Sequence, residues 1–240
     1  MKKILFCILL FPALLWAAAG RNINGSSGYI VMPNADGLRY QQYNLGLGAF
    51  SGTDDMKSHW KYNLGLGWAD WFEISAHGRS EREGLFLNTK WFGTLNNYEN
   101  PLYVAIGFEN LASLGTFQDY PNVFMVVTKK FRGGHSFSIG STGRYIDSKK
   151  EVIASMMTGM EIYTSESFSW LADAVAYEDN KYNLNAGIRV YTSNTAYFNF
   201  SLINILSTMR DDTKILDDDD KEIDAHPFCA TIGMTITNFL

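Results

Sequence analysis

The residues best able to do chemistry lie in two places. Glu73, Ser75 and His77 occupy alternate positions of the stretch WFEISAHG. Serine, histidine and a carboxylate are the residue types of a hydrolase triad, here one that would act on lipid as an outer-membrane phospholipase does. A triad needs its three groups to converge from separate backbone positions. Alternate residues of one strand stand in a row instead, so polar side chains facing the inside of a barrel explain them better. The second place is 211–224, DDTKILDDDDKEID, where Asp217, Asp218, Asp219 and Asp220 are consecutive. Clustered carboxylates suit Ca²⁺, but the spacing is not that of an EF-hand loop, with its Gly at the turn and its closing Glu. A like-charge run is ordinarily a solvated face. The stretch reads as an acidic outer loop with no metal assigned, and bridging of divalent ions to lipopolysaccharide stays open.

Other chemistry finds no support. The histidines His59, His77, His135 and His226 include no metal-spaced pair. There is no GxSxG, no P-loop and no dinucleotide fingerprint, so no cofactor is implied. Net charge is -5 and no basic cluster occurs, which argues against a nucleic-acid partner. Of the two cysteines, Cys7 lies in the N-terminal apolar run, and a lone Cys229 cannot form an internal disulfide. What remains is a set of charged or polar residues at one phase of the chain: Lys61, Glu73, His77, Lys90, Glu109, Asp173 and Arg189. Inside a narrow barrel such charges must pair. They either close the lumen as a network or line a pore.

The elements that must position them are strands. In HWKYNLGLGW, residues 59–68, Trp60, Tyr62, Leu64, Leu66 and Trp68 alternate with His59, Lys61, Asn63, Gly65 and Gly67. A period of two is a β-strand. Its length of roughly ten residues matches a tilted strand crossing a bilayer. Trp at both ends of the apolar face suits the two membrane–water interfaces. The same alternation recurs at 43–49, 72–78, 85–91, 102–109, 135–145, 152–163, 182–190, 198–202 and 228–237. Two segments break it. Residues 123–131 are apolar on both faces until Thr128, and Leu171, Asp173, Val175 and Tyr177 are no more polar than Trp170, Ala172, Ala174 and Ala176 opposite them. The count is about twelve strands, with ten or fourteen possible. The expected fold is all-β, an antiparallel transmembrane β-barrel. A mean hydropathy of -0.11 fits, because inward polar residues dilute the apolar signal.

The chain divides into three. Residues 1–19 read as a secretory signal peptide: Lys2 and Lys3, an apolar run too short to span, then Ala17, Ala18 and Ala19. Residues 20–42, rich in Gly and Asn, read as a lead-in, either a flexible run to the first strand or a segment folded back into the lumen or along the rim. Residues 43–240 form the barrel. Its final strand carries Ile232, Met234, Ile236 and Leu240 in phase, with Phe239 penultimate. Outer-membrane barrels resemble one another in such a C-terminal strand, which the barrel-insertion machinery reads.

Two stretches resemble the YjbH-like family of outer-membrane proteins. Residues 28–48, GYIVMPNADGLRYQQYNLGLG, match its Gly-x-x-x-x-Pro-x-Ala opening followed by a Gly-rich strand. Residues 87–145 carry LNTKW, PLYVAIGFENLASLGTF, VFMVVTKKF and FSIGSTGRY in the family's order. Asn34 stands where the family favours Thr. The resemblance implies an outer-membrane role near exopolysaccharide export, with polysaccharide or its export machinery as a partner, and supplies no catalytic residue.

The sequence therefore points to a non-enzymatic barrel in the outer membrane of a Gram-negative-type bacterium. It sits in outer-membrane lipid and either assists polysaccharide secretion or forms a small channel. A lipid-modifying barrel enzyme (phospholipase or acyltransferase) and a secreted soluble β-sandwich are the alternatives.

Overall fold

The computed structural model describes residues 20–52, 58–80, 82–95, 101–115, 121–146, 151–177, 181–207, 214–216, 222–224 and 228–239. Residues 1–19, the expected signal peptide, and the acidic residues 217–220 lie outside the described residues. Twelve strands close into one antiparallel barrel. In chain order they are β1 (Gln42–Gly52), β2 (Ser58–Ala69), β3 (Phe72–Arg79), β4 (Arg82–Thr94), β5 (Leu102–Gly115), β6 (Asn122–Lys130), β7 (Ser136–Ile146), β8 (Glu151–Ser165), β9 (Phe168–Tyr177), β10 (Tyr182–Ser193), β11 (Ala196–Ser207) and β14 (Cys229–Phe239). Between the last two, β12 (Lys214–Leu216) and β13 (Glu222–Asp224) form a separate hairpin. Neighbours in sequence are neighbours in the wall, and β1 pairs β14 to shut the ring.

Closure follows from the solvent. A strand edge in hydrocarbon would leave its backbone groups unpaired, so a sheet in lipid has to meet itself. The outer face is the apolar phase of each strand: Leu47 is 64% exposed, Trp60 66% and Trp170 55%. Such exposure of large apolar side chains over a whole wall is tolerable only in lipid. This is a transmembrane β-barrel. Two-residue links join β2 to β3, β8 to β9 and β10 to β11 at one end, here the turn end. β1 begins and β14 finishes at that end.

Two irregularities share one design. Asn110 in β5 and Asn204 in β11 have left-handed φ values of 56° and 57°. Each lies where the pairing register with the neighbouring strand shifts. Asn tolerates this conformation better than other side-chain-bearing residues. The Asn110 amide donates to Asn88 Oδ1 at 2.9 Å, and the Asn204 amide to Asn185 Oδ1 at 2.8 Å. The first irregularity lies within β5, which runs on to Gly115, past the alternating stretch 102–109.

The inner face is not uniformly polar, contrary to the general expectation for barrels. Phe124, Val126, Met157, Leu171, Val175 and Ile203 point inward and are buried. Phe124, Val126, Leu171 and Val175 come from the two segments whose alternation fails, while Met157 and Ile203 belong to β8 and β11. The residues that cover them come from the lead-in.

Candidate functional site

The lead-in fills the lumen. From Gly20 to Leu38 it forms a compact double turn, with Asn22 N donating to Ser26 O (2.8 Å), Gly28 N to Gly20 O (2.7 Å) and Tyr29 N to Met32 O (3.0 Å). A turn at 39–42 then reverses the chain into β1: Gln42 N donates to Arg39 O at 2.9 Å, and Gln41 takes φ 64°. This segment is a plug, and the charged wall residues are its attachment points.

Glu73 on β3 receives three groups from the plug. Arg21 Nη1 lies 2.5 Å away, Ser27 Oγ donates at 2.8 Å and the Leu38 amide at 2.8 Å. Lys90 on β4, 4.0 Å from Glu73, donates to the carbonyls of Ser27, Asn34 and Asp36. Glu109 on β5 accepts from the side-chain amides of Asn22 and Asn24, both at 3.0 Å. Arg189 on β10 pairs with Glu161 of β8 at 3.1 Å, donates to Gly28 O at 3.3 Å and stacks over the Tyr197 ring. Asp173 on β9 makes the densest contact. One oxygen, Oδ2, accepts the amides of Ile30, Val31 and Met32 at 2.9, 2.8 and 2.9 Å, while Asn185 donates to Oδ1 at 2.6 Å. A carboxylate that collects successive backbone N–H groups behaves as an anion in a nest.

The other side of the plug is apolar. Tyr29, Ile30, Met32 and Ala35 pack on the inward hydrophobic residues of β5, β6, β8 and β9. Fully burying each of the three larger side chains contributes about 1.5–3 kcal/mol. The Tyr29 hydroxyl, deep in this contact, meets Ser138 at 2.7 Å and Ser136 at 3.1 Å. Gly159 makes room for its ring, since a Cβ there would fall 2.5 Å from Tyr29 Cδ2.

The possible triad does not assemble. Ser75 Oγ and His77 Nδ1 both approach the Asn88 side-chain amide, at 3.3 and 3.4 Å, and His77 stacks on Phe86. Asn88 also holds the plug carbonyl of Asn24 at 2.7 Å. These residues support the plug. Among the described residues, no group of three His, Cys, Asp or Glu side chains converges as metal ligands. Lys61 faces the lumen on β2, directly opposite Arg79 of β3. Arg21, Glu161 and Tyr197 were not singled out by sequence reasoning. Glu161 lies in the inward phase of β8, which could have flagged it, whereas Arg21 sits in a lead-in with no periodicity to read. At the turn end, below the plug, a cavity of about 790 Å³ opens between Asp36, Arg39, Lys130, Tyr163 and Tyr191.

No family model and no curated protein matches the chain. Solved structures do. The NanC porin aligns over 81% of this chain and 98% of its own at 7% identity, with a TM-score of 0.52. An outer-membrane channel from Pseudomonas putida F1 aligns over 87% of this chain and 100% of its own at 8% identity, with a TM-score of 0.51. An outer-membrane protein of Acinetobacter baumannii aligns over 85% and 100% at 10% identity, with a TM-score of 0.44. At such identities the first two establish a shared fold.

Proposed function

We propose that this chain is a non-enzymatic outer-membrane β-barrel, sealed by its own N-terminal segment, that assists envelope polysaccharide secretion and does not act as an open pore. The observation that carries the sealed state is the apolar inner wall matched to Tyr29, Ile30 and Met32. A water-filled channel would leave that wall wet, at a cost of about 25 cal/mol per Å² of apolar surface. The likeness of residues 28–48 and 87–145 to YjbH-like proteins supports the secretion role. Outer-membrane residence is supported by the fold shared with the porin and the channel.

A gated channel is the second reading, favoured by the same shared fold and by the polar side of the plug contact. Planar-bilayer recordings separate the two. The full chain is expected to give no sustained conductance, and a variant lacking residues 20–38 to give open-channel steps. Sustained steps from the full chain would sink the sealed barrel. Deleting the gene should lower secreted polysaccharide, and an unchanged yield would remove the secretion role while leaving the sealed architecture standing.

A further inference from the structure

The cavity at the turn end is not needed to seal the lumen. The plug forms one side of it at Ala35, Asp36 and Gly37, and its volume of about 790 Å³ falls within the roughly 300–1,000 Å³ of small-molecule sites. The wall supplies a hydrogen-bond chain of fixed direction. Arg189 Nη1 donates to both oxygens of Glu161, at 3.1 and 3.2 Å, and both side chains are buried. A carboxylate only accepts, so the Tyr191 hydroxyl, 2.9 Å from Glu161 Oε1, donates to it. The Tyr163 hydroxyl, 2.6 Å from that of Tyr191, must then donate to Tyr191. Its own oxygen ends the chain as an acceptor with no further partner among the described residues. Glu161, Tyr163 and Tyr191 all line the cavity. Charge narrows the ligand. Asp36, Asp70, Glu161 and Glu166 line the cavity against Arg39 and Lys130, and Lys130 pairs with Asp36. Even with Arg189 behind Glu161 included, acids outnumber bases. The side-chain amides of Gln42 and Asn194 bring donors and acceptors together. Phe239, in the inward phase of β14 and 45% exposed, adds an open aromatic ring.

We propose that this cavity binds a short, uncharged saccharide segment. A sugar hydroxyl is donor and acceptor at once, so it can donate to the Tyr163 oxygen and accept from a side-chain amide. A polyamine suits the carboxylates but only donates, and leaves the amide N–H groups without an acceptor. A uronic acid meets an excess of like charge. The apolar C–H face of a sugar ring packs on an aromatic ring such as that of Phe239. The proposal deepens the secretion reading and rests on it for the role of the ligand. It leaves the sealed lumen untouched, because the ligand sits below the plug.

The test is calorimetric titration of the full-length protein in lauryldimethylamine oxide, a detergent without a sugar headgroup. The probes are maltotriose, cellotriose and mannotriose, with trigalacturonate and spermidine as charged controls. At least one neutral trisaccharide is expected to bind, and more tightly than either control. Tyr163→Phe keeps the ring and should weaken that binding by about twofold to tenfold, the size of one hydrogen bond. Phe239→Ala should weaken it independently. Lys61→Met, on β2 toward the other end of the lumen, should bind as the parent does. Three results would overturn the site: no neutral trisaccharide binds, a charged control binds as tightly, or the affinity is the same in Tyr163→Phe and Phe239→Ala as in the parent. An equal loss in Lys61→Met would also overturn it, by showing that the binding is not local to the cavity. Binding in the tube with unchanged polysaccharide yield on gene deletion would keep the site and remove the secretion role, whereas lowered yield without binding would do the reverse.

Discussion

The Arg21 guanidinium and the Glu73 carboxylate meet at 2.5 Å, each side chain 1% exposed. Fifty-two positions apart in the chain, they join the start of the plug to the third strand of the wall. A buried ion pair is a weak source of net stability, but removal of one partner leaves the other charge uncompensated.

Glu73→Ala is therefore expected to destabilise the barrel by about 3–5 kcal/mol, because Arg21 and Lys90 both lose their acid. The double variant Arg21→Met, Glu73→Leu should recover part of that loss. Urea unfolding in detergent or lipid gives both values, and an additive double variant would show that the pair is not coupled.

Asp173 anchors the middle of the plug through three successive amides. Asp173→Ala leaves those donors without an acceptor, at about 1–3 kcal/mol for each buried group left unpaired. Amide exchange at Ile30, Val31 and Met32 should accelerate well before exchange in β2 or β3. Uniform acceleration across the barrel would mean that the plug and the wall open as one unit.

Gly159 faces the Tyr29 ring with no space for a methyl group. Gly159→Ala should cost about 1–3 kcal/mol by overpacking. Adding Tyr29→Ala to it should cost less than Tyr29→Ala costs the parent, since the clash is removed with the ring. Thermal unfolding of the three variants decides this.

The lipid face should show depth dependence. Leu64, near the centre of β2, is 51% exposed, and Trp60 lies toward one end. Leu64→Arg is expected to cost about 2–4 kcal/mol and Trp60→Arg about 0–1 kcal/mol. Equal costs at the two positions would contradict a bilayer centred on β2.

Asn204 holds a left-handed conformation and donates to Asn185, which itself binds Asp173. Asn204→Gly should be close to neutral, while Asn204→Val should cost about 1–3 kcal/mol for strain at positive φ. Similar losses in the two variants would point to the Asn side chain and not the backbone.

Alternation of apolar and polar residues placed ten of the twelve wall strands with their outward faces; the phase of 123–131 and 170–177, the strand number and the closure through β1 and β14 came from the tertiary structure. In lipid each outward position needs an apolar side chain, and period two records that demand locally. The inward positions Lys61, Glu73, His77, Lys90, Glu109 and Arg189 could be read by the same phase. The plug could not. Residues 20–38 carry no period, because a double turn held by its surroundings leaves no repeating pattern. Residues 123–131 and 170–177 lost their alternation for the same reason: Phe124, Val126, Leu171 and Val175 face a protein segment and not water. Which wall residues meet Tyr29, and which carboxylate gathers the amides of 30–32, are contacts across more than a hundred positions of chain. Only the closed ring brings them together.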